Sequence, residues 1–234
     1  TEGVKRCFPA SVTDRLVVIP NPFPAMRRNR RSITGKNIGA VGRLTDQKGF
    51  DLLIDAFAAV LPEFPGWRLH IWGSGPDLPA LERQISALGL NGSVFLQGVS
   101  PHPGGWLDDT HLYVLSSPYE GFPNALAEAM AAGLPIVATS CDFGPAEMIE
   151  HGKSGWLVRN EDTADLAAGL KRLMADNDLR TRLGEGAAKG IQRYTPGAVF
   201  RQWDNLVQDL LGRTTAKARE PAGSVQPLEV RLTE

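Results

Sequence analysis

Short apolar runs alternate with amphipathic stretches along most of this chain. The runs at 38–41, 69–72, 94–96, 112–115, 136–138 and 156–158 are brief and rich in β-branched and aromatic residues, which predicts six strands. Between them, apolar residues recur at helical spacing, as Leu52, Leu53, Ala56, Phe57 and Val60 do, and predict helices over 50–60, 78–88, 124–132 and 164–175. Two more helices are expected at 179–191 and 197–211. Strand and helix in strict alternation imply parallel pairing through right-handed crossovers. The fold class is therefore α/β, a Rossmann-like parallel sheet with helices on both faces.

The flanks differ in texture. Residues 1–9 read as helix, and Leu16-Val17-Val18-Ile19 as a strand stopped by Pro20-Asn21-Pro22. Residues 25–36 carry Arg27, Arg28, Arg30 and Arg31 with almost nothing apolar, the composition of an exposed basic linker. The tail, 213–234, is rich in Pro, Thr and charge and is expected to be poorly ordered. Val199, Trp203, Leu206 and Leu210 share one helical face, which would either cross to another domain or pack on this one.

Composition narrows the choice of partners. With 234 residues and 42% hydrophobic content the chain can form one large domain. Its 25 basic residues balance 26 acidic ones for a formal charge of −1, giving no general attraction to nucleic acid or an anionic membrane. Cys7 and Cys141 are far apart and in no metal-ligand spacing, so a reducing, cytoplasmic setting fits and no metal site is expected. No apolar stretch approaches the roughly 18 residues that span a bilayer, so the chain reads as soluble.

Ligands of an open parallel sheet bind beyond the carboxyl ends of its strands. The first predicted strand runs into Val41-Gly42-Arg43-Leu44-Thr45-Asp46-Gln47-Lys48-Gly49. Arg43 offers phosphate a bidentate fork, Lys48 a point charge, and Gly42 a close backbone approach. The fourth runs into Glu120-Gly121-Phe122-Pro123-Asn124 and then a helix, with Pro123 suited to the first turn. The open N–H groups and dipole of that helix start form an anion site. Glu128 lies on a tightly packed helix, where a carboxylate needs donors such as a ribose diol. Glu120 could accept from sugar hydroxyls and stabilise positive character at an anomeric carbon.

Taken together, these segments resemble the retaining glycosyltransferases of family 4. Their E-x7-E motif is met by Glu120 and Glu128 in Glu120-Gly121-Phe122-Pro123-Asn124-Ala125-Leu126-Ala127-Glu128. Trp72-Gly73-Ser74-Gly75-Pro76, Val94-Phe95-Leu96-Gln97-Gly98 and Gly152-Lys153-Ser154-Gly155-Trp156-Leu157-Val158 match as well. The resemblance implies a GT-B fold, two Rossmann-like domains face to face, of which 37–212 would be the C-terminal, donor-binding one. Residues 1–24 would then be a remnant of an N-terminal acceptor domain and the start of the linker. By resemblance, Arg43 and Lys48 would meet the diphosphate, Glu128 the ribose, and catalytic Glu120 with the backbone of Gly121, Phe122, Pro123 and Asn124 the sugar. Val99 would lie against the base.

The implied function is metal-independent, retaining transfer of a hexose or N-acetylhexosamine from a nucleotide-diphosphate sugar, UDP-linked by resemblance. The acceptor would be a glycan or a lipid-linked sugar, held through the missing N-terminal domain, with no cofactor beyond the donor itself. Without that domain the chain should transfer poorly, and the whole protein could work at the inner face of a membrane. A non-catalytic nucleotide-sugar module and a GT-B epimerase are the alternatives. Several features read as structural. Asp176-Asn177-Asp178 fits a metal-binding D-x-D but sits between helices, as a cap would. His111 reads as structural, and the unusual segment 101–109 has no assigned role. His70, His102 and His151 form no ligand cluster, Gly73-Ser74-Gly75 lacks the third glycine of a dinucleotide fingerprint, and no G-x-S-x-G elbow is present.

Overall fold

A computed structural model describes residues 2–23 and 35–219, with side chains as far as 212. Among these residues the strands are β1 (Asn37–Val41), β2 (Arg68–Trp72), β3 (Val94–Gly98), β4 (Leu112–Leu115), β5 (Ile136–Thr139) and β6 (Trp156–Val158). The helices are α1 (Ala10–Thr13), α2 (Phe50–Val60), α3 (Leu78–Ala87), α4 (Asn124–Ala131), α5 (Pro145–Met148), α6 (Thr163–Ala175), α7 (Asn177–Gly190) and α8 (Pro196–Arg219). All pairings are parallel, in the order β3-β2-β1-β4-β5-β6. The order reverses between β1 and β4, which opens a crevice at their carboxyl ends.

Burial on both faces explains the unbroken apolar runs of β4 and β5. Leu112, Val114 and Val137 face one cluster, with α2, α3 and α6; Tyr113, Leu115, Ile136 and Ala138 face the other, with α4 and the end of α7. Asp162 caps α6 and Asp176 caps α7, their carboxylates accepting from Asp165 N and Leu179 N at 2.8 Å each. The Asp176 motif is thus a helix cap. Arg180, 5% exposed, closes the end of α6 by donating to the carbonyls of Leu173 and Met174, and its guanidinium sits over Trp67.

The differences from expectation lie at the edges. Leu16 to Ile19 form no strand: Val17 is 58% exposed, and without a neighbouring strand among the described residues the backbone has no ladder to join. Residues 2–7 form a 3-10 helix in place of an α-helix. Four-residue α5 was too short for periodicity to reveal. Helix α8 extends past the expected end at 211 to Arg219, the first residues of the expected tail; the rest of the tail, and the linker apart from Gly35 and Lys36, lie outside the described residues.

Candidate active site at the sheet switch point

The loops after β1 and β4 are fastened together where the sheet order reverses. Gly49 adopts a left-handed φ of 57°, and a Cβ there would stand 2.5 Å from the Ser116 carbonyl. Only glycine lets the two backbones approach so closely. Ser116 Oγ in turn donates to the Lys48 carbonyl at 2.8 Å.

This approach joins two residues the sequence had kept in separate roles. Lys48 Nζ lies 2.5 Å from Glu120 Oε1, with the Glu120 side chain 7% exposed and that of Lys48 20%. Ser117 Oγ donates to the same oxygen at 2.8 Å, and Thr139 Oγ1 holds the Ser117 carbonyl at 2.6 Å. Glu120 is therefore a mostly buried carboxylate with one oxygen engaged by a cation and a hydroxyl. The Lys48 stem lies over Gly42, where an added Cβ would be 3.0 Å from it. Gly42 thus makes room for the lysine, a nearer reason for glycine than an approaching phosphate. Arg43 is exposed, and no carboxylate among the described residues pairs with it.

Helix α4 begins at Asn124, as its sequence suggested, but Pro123 stands just outside the first turn. It is the N-cap, with extended backbone. Proline has no side-chain oxygen to cap with, and among the described residues no side chain caps α4, which leaves its first N–H groups without an internal acceptor. Gly144, with a φ of 87°, presses against the preceding loop: a Cβ there would be 2.6 Å from the Gly121 carbonyl. Gly121 itself has ordinary backbone, and a Cβ added to it would meet nothing within 4 Å. Among the described residues, nothing in the protein requires glycine at 121. Phe122 turns away to pack edge-on against Tyr194, 5.5 Å between centroids.

Glu128 has a partner that sequence reasoning missed. The indole Nε1 of Trp106 donates to Glu128 Oε2 at 2.8 Å, and Trp106 is 3% exposed. The donor comes from the unusual 101–109 segment, so the only signal was a tryptophan in a stretch without a role. Ser117 was likewise missed, since a serine after a strand carries no distinguishing pattern. Between the glutamates, Tyr113 is fully buried; burial, then the charges of Glu120 and Glu128, raise its phenol well above the ordinary range. Cys141 is pushed up by burial and, secondarily, by Glu120. Val99, just past β3 on the same sheet edge, is 71% exposed, an apolar surface open to a planar ligand. His111 lies at the opposite edge, its N–H bonded to the Asn37 carbonyl.

The family model described as glycosyl transferases group 1 matches residues 25–190. The chain belongs to that family. Among curated relatives, an exopolysaccharide phosphotransferase of Streptomyces coelicolor is 42% identical over 217 residues, 91% of this chain but 23% of the relative. Staphylococcus aureus TarM, solved as a point mutant in complex with fondaparinux, α-GlcNAc-glycerol and UDP, superposes with a TM-score of 0.77 at 28% identity, covering 84% of this chain and 41% of that one. The C-terminal domain of a group 1 glycosyl transferase from Francisella tularensis superposes with a TM-score of 0.62 at 27% identity, covering 69% of this chain and 88% of that domain. The chain thus spans about a quarter of the Streptomyces protein and about two fifths of TarM. Among its described residues, no helix is long and apolar enough to cross a membrane.

Proposed function

We propose that this chain is the C-terminal, donor-binding half of a retaining, family 4-like hexosyl- or N-acetylhexosaminyltransferase using a UDP-sugar. The observation that carries the reading is the joining of Lys48, Glu120 and the uncapped start of α4 at one switch point, with Glu128 held one helix turn further in. Cations, open N–H groups and a carboxylate at such a crevice suit the diphosphate and the hydroxyls of one ligand. The UDP in the TarM complex supports the choice of base. The match to a separately solved C-terminal domain supports the half-protein reading, with an acceptor glycan or lipid-linked sugar bound by a further domain.

In this reading the bond from the anomeric carbon to the diphosphate oxygen breaks as an acceptor hydroxyl bonds the same face. The acceptor's proton passes to the departing diphosphate. Arg43, Lys48 and the α4 N–H groups meet the negative charge that develops, taking the place a metal ion could hold. Glu120 keeps Lys48 aimed and presents its other oxygen to the sugar. Both cysteines are free, which suits a cytoplasmic location.

The phosphotransferase name of the Streptomyces relative belongs to a protein of which the matched stretch is under a quarter, leaving ample chain for that chemistry elsewhere. A self-contained binding module is disfavoured by α8. Val199 is buried, but Phe200, Trp203 and Val207 stay about half exposed, so this apolar face is not spent on the domain itself.

Calorimetric titration with UDP, GDP and ADP, without added metal, tests the reading. UDP should bind, and Glu128→Ala and the Arg43→Ala/Lys48→Ala pair should each weaken it at least about ten-fold, the loss expected when a hydrogen bond to a charged group goes. Equal binding of all three nucleotides, or indifference to both variants, would reject the site.

A further inference from the structure

Glu128 is not simply a carboxylate left on a packed helix: one of its two oxygens is already taken. We infer that Trp106 is a positioning residue that holds Glu128 in place for the ribose diol, and so makes the site select nucleotides that carry both ribose hydroxyls. This rests on the reading above that Glu128 meets the ribose.

An indole N–H can only donate, so it engages Glu128 through an accepting carboxyl oxygen and in one orientation. Holding Oε2 leaves Oε1 open; among the described residues, none donates to it. The tryptophan is itself held from behind. Its ring lies against Tyr113, with centroids 5.2 Å apart. Its carbonyl accepts from Thr110 Oγ1 at 2.6 Å. Thr110 fits only because β1 carries Gly39, where a Cβ would stand 2.4 Å from that hydroxyl. A contact chain therefore runs from the central strand through Thr110 and Trp106 to Glu128. Such a chain fixes a carboxylate whose remaining lone pairs can take two neighbouring hydroxyls at once.

The test compares UDP with UDP lacking its 2′ and 3′ hydroxyls, in calorimetry on the 234-residue chain and its variants. Trp106→Phe keeps a ring and loses the N–H. It should weaken UDP roughly ten-fold, as expected for a lost hydrogen bond to a charge, while the dideoxy analogue binds as before. In a Glu128→Ala background, Trp106→Phe should change nothing further. Glu128→Gln, which keeps the fold if Trp106→Phe does not, should narrow the preference for UDP, because its amide NH2 can donate to a ribose hydroxyl but no longer accept from one. Equal weakening of both nucleotides by Trp106→Phe, further weakening in the Glu128→Ala background, or an undiminished preference in Glu128→Gln would each show Trp106 to be ordinary core. If Glu128→Ala alone leaves the preference intact, the ribose reading of Glu128 falls first and takes this inference with it.

Discussion

Lys48 and Glu120 stand 72 positions apart in the sequence and 2.5 Å apart in the fold, Nζ against Oε1. The pair spans the switch point of the sheet, so the two loops that form the crevice are tied by charge as well as by backbone. Its low exposure separates it from surface pairs such as Lys171 with Glu63, whose side chains are each about half exposed.

Removing one partner of such a pair strands the other. Lys48→Ala is expected to destabilise the domain by about 2 kcal/mol, because Glu120 keeps a charge it can no longer share. Lys48→Met with Glu120→Gln should recover most of that stability and none of the nucleotide binding. Urea midpoints and UDP titrations on these variants check this, and a double variant no more stable than Lys48→Ala would contradict it.

Two glycines of the same region should respond oppositely. Gly144→Ala places a Cβ on a positive φ and 2.6 Å from the Gly121 carbonyl, and should cost at least about 2 kcal/mol. Gly121→Ala meets no protein atom and should stay within about 0.5 kcal/mol of the parent. If the open space at Gly121 belongs to the ligand, the same alanine weakens UDP-sugar binding. Paired melting and titration curves read both effects.

His70 makes stability depend on pH. Burial, with Arg68 adding to it, lowers its pKa below the ordinary 6.5, against a smaller opposing effect of Asp109. Nδ1 lies 2.8 Å from the Gln97 amide nitrogen, a contact that suits the neutral ring accepting from the amide N–H. The unfolded chain then binds the proton more readily than the folded one. Stability is thus complete above the ordinary pKa and falls as pH drops through the lower, folded value. Melting temperatures between about pH 7.5 and about pH 5.5, which bracket the ordinary histidine pKa, should fall less in His70→Asn than in the parent.

The cysteines should differ in reactivity. Cys141 is 2% exposed and its thiol is held protonated by burial and by Glu120, whereas Cys7 is exposed. Iodoacetamide under native conditions should label Cys7 alone, and Cys141 only after denaturant, as peptide mass spectrometry would show. Native labelling of Cys141 would mean that the loop after β5 opens.

Much of this molecule was legible in advance because repeated, local patterns specify it. The six strands, and the helices α2, α3, α4, α6 and α7, each lie within two residues of their expected bounds, since buried parallel strands and amphipathic helices write their period into the chain. Arg43, Lys48 and Glu120 share one edge of the sheet because residues just beyond parallel strands converge there whatever the packing. What those residues do to one another was not local. The partnership of Lys48 with Glu120, the hold of Trp106 on Glu128, the space Gly42 leaves for a lysine and Gly39 for a threonine all arise between side chains whose meeting no local pattern records. Residues 16–19 show the same limit from the other side. They have a strand's composition, yet a strand exists only where another backbone comes alongside, and only the tertiary structure could say that none does among the described residues.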